Sequence, residues 1–354
     1  MTLDLTQDVV ALTAALVDIE SVSTNEQAIA DAVEAELRRL PHLTTVRHGN
    51  TIVARTDLGA GERVVIAGHL DTVPVEGNLP SHNDGEVLHG RGTVDMKGGV
   101  AVALKMAHDV AAPVRDVTYV FYECEEIDAA RNGLRVLSEE HPDLITGDFA
   151  ILMEPSDGVV EAGCQGTLRF EVVLKGEAAH SARAWRGDNA IHKAAGVLAR
   201  LNAYVPRKPV IDGLEYHEGL NAVLISGGTA TNVIPAECRV QINFRYAPDR
   251  SEDEALAYVR EFFADYDLEV TDSAPGALPG LDRPAAKAFV AAVGGEAKPK
   301  FGWTDVARFT VLGVPAVNYG PGDPMLAHKA DEHVPVAQLV DTERTLGEWL
   351  RGER

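Results

Sequence analysis

The chain has 354 residues, 45% hydrophobic and 24% charged, and its 54 acidic side chains outnumber 32 Lys and Arg to leave a net charge of −22. This length exceeds one ordinary core, so two domains or one domain with a large insertion are expected, and the composition excludes a disordered chain. The charge excludes nucleic acid and anionic membrane surfaces as partners, because both are polyanions bound through clustered Lys and Arg, and no basic run occurs.

The N-terminal Met1-Thr2-Leu3-Asp4-Leu5 has neither the basic start nor the apolar core of a secretory signal, and no apolar run reaches the ~18 residues of a membrane span. A soluble, cytoplasmic protein is expected. Cys124, Cys164 and Cys238 are odd in number and far apart, which fits reduced thiols rather than a disulfide framework or a zinc finger.

Apolar residues recur at helical spacing over 8–20 (Val9, Leu12, Leu16, Ile19) and 26–40 (Ala28, Val33, Leu37, Leu40). Short β-branched runs follow at Thr51–Ala54 and Val64–Ala67, then a helix near 98–110 and a strand over Val117–Tyr122. This alternation predicts an α/β fold, a central sheet flanked by helices. From about 166 the pattern changes. A strand over Leu168–Leu174, a helix over 188–203, strands over 221–226 and 238–246, a helix over 251–264 and a short strand over Leu268–Val270 give a β-α-β-β-α-β order, the ferredoxin-like α+β arrangement. The Pro- and Gly-rich stretch 273–280 reads as the linker back. Helices over 284–293 and 304–312, a strand over Val314–Asn318 and a helix over 336–350 then complete the first domain. The expected division is a discontinuous domain of residues 1–165 and 276–354 with residues 166–275 inserted.

The candidate chemistry lies at strand ends. His69 closes an apolar strand in Gly68-His69-Leu70-Asp71-Thr72-Val73-Pro74, at the carboxyl end where open α/β sheets gather ligands. In an extended segment Asp71 points to the same side as His69 and can brace its imidazole while the other ring nitrogen meets a metal. Asp95 lies in the glycine-rich Gly90–Gly99 turn that leads into a helix; it could simply cap that helix, but it could also offer one oxygen to each of two ions. Glu125 and Glu126 follow the strand 117–122, and adjacent carboxylates repel unless a cation offsets the cost. We assign Glu126 as ligand and Glu125 as the base. Glu154 ends another apolar strand, and His328 lies just before the last helix. A symmetric division gives one ion His69 and Glu154, the other His328 and Glu126, with Asp95 between them. Nitrogen and oxygen donors without thiolate suit zinc, with cobalt or manganese as substitutes. Two ions held about 3.5–4 Å apart need such a shared carboxylate and a free base.

The motifs at 68–74, 90–99, 125–126, 154–155 and His328 resemble the dinuclear zinc aminoacylase and carboxypeptidase family, in family order through nearly the whole chain. Less specific support comes from Asn189–Ala195, Asn232–Pro235, Asn243–Arg245, Thr304, Arg308–Phe309, Tyr319–Pro321 and His328–Lys329. The resemblance implies a zinc-peptidase-like catalytic domain with a lid and dimerisation domain, two zinc ions per subunit, and hydrolysis of N-succinyl-LL-2,6-diaminopimelate to succinate and LL-2,6-diaminopimelate. It further implies a homodimer joined through the lid domains. His180 would reach the neighbouring subunit's site to stabilise the oxyanion, and Arg183, Asn232, Arg245, Thr304 and Arg308 would bind substrate. Cys124 departs from the pattern, since relatives often carry an acidic residue there. Deacetylation of acetylornithine, or hydrolysis of another N-acyl amino acid or peptide, keeps the chemistry and changes the substrate. A non-catalytic metal-binding homologue is the distant alternative, against which the intact Glu125 and five presumed ligands argue.

Overall fold

The structure is a computed structural model and describes residues 3–354. The chain forms two compact units, one running to Gly163 and resuming over Pro279–Lys298 and Asp305–Arg354, the other made of Cys164–Leu278 and Pro299–Thr304.

In the first unit the sheet runs, in spatial order, Thr44–His48, Thr51–Arg55, Asp116–Tyr122, Arg63–His69, Phe149–Leu152, Ala316–Asn318 and Glu161–Ala162. The central neighbours Asp116–Tyr122, Arg63–His69, Phe149–Leu152 and Ala316–Asn318 are parallel, whereas Thr44–His48, Thr51–Arg55 and Glu161–Ala162 join antiparallel. Helices cover both faces of such strands, so they read as continuous apolar runs rather than alternating ones, and every residue of Asp116–Tyr122 is buried. Helix Lys97–Asp109 is buried from Lys97 to Ala107 because it lies between the sheet and the helices Val9–Val17 and Val336–Arg351. Its start needs glycine, since a Cβ at Gly99 would overlap the Met153 carbonyl. The first helix begins after Asp8, whose carboxylate accepts the Ala11 amide at 2.8 Å. Phe289 and Trp349 stack edge to face at 4.9 Å beside Phe149 and close the core under the last helix.

The second unit is a four-stranded antiparallel sheet in the order Gly219–Gly227, Glu237–Tyr246, Gly166–Lys175, Asp267–Ala274, with helices Ala190–Asn202 and Glu252–Phe262. One sheet face is buried, as the strict alternation of burial along Glu237–Tyr246 shows. Leu168, Phe170, Val172, Val240, Ile242 and Phe244 meet Ala194, Val197, Val259 and Phe263 in its core. Helix Glu252–Phe262 opens with a reciprocal capping pair, Ser251 and Glu254.

The strand Thr44–His48, the helix Gly133–Glu140 and a small three-stranded sheet of His82–Asn83, Val87–His89 and His333–Pro335 were not expected from the sequence. The strand is half-buried without a clean alternation, the helix is only eight residues long, and the third strand of the small sheet joins by pairing segments more than 240 residues apart. Among the described residues no helix is long and apolar enough to cross a membrane.

Candidate metal centre

Three neighbouring strands of the first unit end side by side, and their carboxyl ends deliver most of the donors. His69 closes its strand, Glu125 and Glu126 follow Asp116–Tyr122, Glu154 follows Phe149–Leu152, and Asp95 stands just ahead of the helix at Lys97. Two donor groups share one residue: His69, Asp95 and Glu154 offer ligand atoms within 4.8 Å of one another, and so do Asp95, Glu126 and His328. One Asp95 oxygen lies 3.0 Å from His69 Nε2 and the other 3.3 Å from His328 Nε2, while His328 Nε2 is also 2.9 Å from a Glu126 oxygen. His69, Glu125 and Glu126 form a third overlapping group.

The electrostatics are those of a site built around positive charge. Burial raises the Asp95 carboxyl, but the hydrogen bonds from His328 and His69 overcome it and hold the group low. Asp95 and Glu126 push the His328 imidazole up to about 10. Burial pushes Glu125 well above the usual carboxylate range, and Asp305, Glu154 and Glu126 add to this against His69. Asp95, Glu125, Glu126 and Glu154 thus crowd around His69 and His328, a density of like charge that divalent cations would relieve. The donor set therefore fits two divalent ions, one with His69 and Glu154 and one with Glu126 and His328, sharing Asp95. His328 adopts a left-handed φ of +65°, a conformation a non-glycine residue keeps only where its surroundings over-determine it.

Asp71 does more than brace an imidazole. His69 Nδ1 bonds the Asp71 carbonyl at 3.0 Å and lies 3.4 Å from its carboxylate. That carboxylate accepts the amides of Glu125 and Glu126 at 2.9 and 3.1 Å and the Ser23 hydroxyl at 2.7 Å. Asp71 therefore sets the backbone that carries both glutamates. Between them and the strand, Cys124 takes a left-handed φ of +57°; its thiol is buried against Glu26 and pushed up to about 12, first by burial and then by that carboxylate. It is a neutral packed turn residue.

Glu332, Asp305 and Asn132 escaped the sequence reading. The Glu332 carboxylate is 1% exposed; one oxygen accepts the amides of Gly92, Val94 and Asp95 at 2.9, 3.0 and 3.1 Å, and the other takes Arg91 Nη1 at 2.9 Å. It shapes the loop that presents Asp95, whose peptide to Met96 is cis. Lys97, buried behind that loop, donates to the Ile19 carbonyl at 2.8 Å. Asp305 is fully buried and accepts from Asn132 at 2.7 Å and from Arg308 Nε at 3.2 Å, which orients the Arg308 side chain. Glu332 carries no local signal because its partners lie some 240 residues back, and Asn132 and Asp305 meet across 173 residues.

The remaining candidates lie in the second unit. His180 and Val233 pair across a two-stranded ribbon, and the Asn232 carbonyl accepts the Ser181 amide, so His180 and Asn232 are neighbours. His180 is exposed, and its Nδ1 accepts the Ala182 amide at 3.1 Å, which leaves Nε2 to carry a proton outward. Arg183 is exposed in the turn that follows. Arg245 is half-buried with Nη1 enclosed and without a hydrogen-bond partner among the described residues. Thr304 is buried and its carbonyl lies 3.6 Å from the Cys164 thiol.

Comparison with known proteins agrees with this geometry. The profile described as Peptidase family M20/M25/M40 matches residues 65–351. A Mycobacterium tuberculosis protein named "Putative succinyl-diaminopimelate desuccinylase" is 54% identical over 99% of this chain and 100% of its own. The succinyl-diaminopimelate desuccinylase of Corynebacterium glutamicum is 45% identical over 98% and 97%. Among solved structures, the aminopeptidase PepT of Bacillus cereus superposes with a TM-score of 0.78 at 18% identity, covering 99% of this chain and 98% of its own, a likeness of fold.

Proposed function

This chain belongs to peptidase family M20/M25/M40 and is a metal-dependent hydrolase, and from that premise we propose that it cleaves N-succinyl-LL-2,6-diaminopimelate to succinate and LL-2,6-diaminopimelate. The observation that carries the reading is Asp95 shared between two donor groups beside a separate half-buried glutamate, Glu125. The substrate is inferred from full-length relatives at 54% and 45% identity.

The residues that would hold the ions are His69 and Glu154 on one side, Glu126 and His328 on the other, and Asp95 between; zinc suits these nitrogen and oxygen donors, with cobalt or manganese as substitutes. When bound, such a pair supplies the Lewis acidity that polarises an amide carbonyl and acidifies a water. Glu125 takes the proton from the attacking water and delivers it to the leaving amine. Asp71 holds Glu125 and Glu126 in place through their amides. His180, in the partner's copy, donates from Nε2 to the oxyanion. Arg245, Arg308, Arg183, Asn232 and Thr304 hold the carboxylates and polar groups of the substrate. An unpaired guanidinium nitrogen such as Arg245 Nη1 supports this, because an anion approaching a chain of charge −22 needs a local reversal of the field.

A homodimer through the second unit is part of the proposal. Its edge strand Gly219–Gly227 exposes Val223, Leu224 and Ile225 (53, 66 and 53%), and Ile191 and Leu198 on helix Ala190–Asn202 are exposed as well. An apolar unpaired edge of this kind invites a second strand.

The test is to offer zinc-loaded protein N-succinyl-LL-diaminopimelate, N-acetylornithine and a panel of N-acyl amino acids, and to measure amine release with and without chelator. Chelator-sensitive cleavage of the succinyl substrate is expected. Preference for another acyl amino acid would refute the substrate, and no cleavage would refute the enzymatic reading.

A further inference from the structure

Outside the centre described above, three histidines stand in one row. The small sheet pairs His89 with His82 on one side and with His333 on the other, so all three project from the same face. The ring centroids are 5.3 Å apart for His89 and His333 and 6.1 Å for His82 and His89. His82 is exposed and the His89 side chain is 44% exposed. Asp84, in the turn between two of the strands, places a carboxylate oxygen 3.6 Å from His89 Nε2.

We propose that His82, His89 and His333, with Asp84, bind a further divalent transition-metal ion at the surface. Imidazole is a favoured ligand of zinc, copper and nickel, and cross-strand neighbours on one face have Cβ atoms only about 4.5–5.5 Å apart. Two imidazoles on one tetrahedral zinc, with bonds of about 2.0–2.1 Å, hold their ring centroids about 5 Å apart. His89 and His333 already stand at that spacing. His333 Nδ1 donates to the Asp331 carbonyl at 2.6 Å, which fixes the tautomer with Nε2 as the lone-pair nitrogen, the arrangement that orients metal-ligating histidines. His82 and His89 stack at 24° rather than converge, so their rings rotate about the outer side-chain bond on binding, a motion open to an exposed His82. The Asp84 carboxylate supplies an oxygen and part of the compensating charge.

The placement gives the ion a consequence. His89 is followed directly by Gly90 and the loop to Asp95, and His333 is preceded by Glu332 and, four residues earlier, His328. An ion across the row ties together the two strands from which these segments spring.

Equilibrium dialysis against micromolar zinc, with metal analysis, reads the site as a difference between proteins. Native protein should hold one zinc per chain more than His89→Ala/His333→Ala, and His82→Ala, changed at an exposed ring, should weaken that extra ion at least several-fold without loss of fold by circular dichroism. The copper signal and the His82→Ala count read the row itself, so the site stands or falls apart from the proposed reaction. Copper added to the zinc-loaded protein should give an electron paramagnetic resonance signal split by more than one imidazole nitrogen, absent in the double variant. Equal zinc counts in native and double-variant protein, or a copper signal unchanged by the substitutions, would overturn the site.

Discussion

Replacing Glu332 by Gln removes one charge and should disturb both stability and metal binding. Arg91 is 2% exposed, and its other contacts are the carbonyls of Pro74 at 3.1 Å and Lys329 at 3.1 Å, neither of which carries a compensating charge. Burying that guanidinium without its carboxylate costs roughly 3–5 kcal/mol, the penalty for breaking one side of a buried pair. For a unit of this size each kcal/mol moves the midpoint by about 2–4 °C, so metal-depleted Glu332→Gln should melt roughly 6–20 °C lower. The Gln oxygen can still accept some of the amides of Gly92, Val94 and Asp95, but more weakly than a carboxylate. The apolar pair Arg91→Met/Glu332→Leu removes the stranded charge but leaves the three loop amides without an acceptor, at about 1–3 kcal/mol for each buried unsatisfied donor, so it should stay well short of native stability. Its zinc affinity should therefore stay below native, with Asp95 no longer held. Thermal unfolding by circular dichroism and competitive zinc titration read the two quantities. A single variant within 1 kcal/mol of native with unchanged zinc affinity would refute the positioning role of Glu332.

Glu125→Gln should keep the metal content of the native protein while turnover falls by about 10²–10⁴, the ordinary share of a general base; substantial residual activity in a steady-state assay would remove Glu125 from that role. Asp116 tests acid stability away from the centre. Burial alone would raise its carboxyl, but the Leu58 amide, the Thr56 hydroxyl, the Ala60 amide and Arg63 together hold it below the usual value of 3.8. A depressed folded value stabilises the protein above 3.8 and loses that contribution as pH falls through the lowered value. Asp116→Ala should therefore cost roughly 2–3 kcal/mol near neutrality, and the gap to native in urea unfolding should narrow as pH drops below 3.8. Leu224→Lys puts a charge on the exposed apolar edge strand and should shift the protein from dimer to monomer in sedimentation velocity; a native protein that sediments as a monomer would exclude the dimer proposal.

Much of the centre was legible because its donors sit at element ends. A strand such as Val64–Ala67 announces itself by an unbroken β-branched run, and the first polar residue past it, His69, is then at the sheet's carboxyl edge without further information. The same logic reached Glu125, Glu126 and Glu154, and helical spacing located the long helices to within a few residues. Asp71 was found for its imidazole but its larger task, accepting the amides of Glu125 and Glu126, depends on a strand 54 residues away. Strand Thr44–His48 was missed because its half-buried pattern carries no clean alternation.

The sequence by itself determined which residue types end the strands, the alternation of strand and helix, and the change of pattern near 166, since these follow from local periodicity and turn chemistry. Only the tertiary structure decided that Asp95 faces both His69 and His328, that Glu332 reaches back some 240 residues to hold the Asp95 loop, and that His82, His89 and His333 share one row. Those pairings arise from the order of strands in a folded sheet. Hydrogen-bonding geometry and burial select that order, and distance along the chain does not encode it.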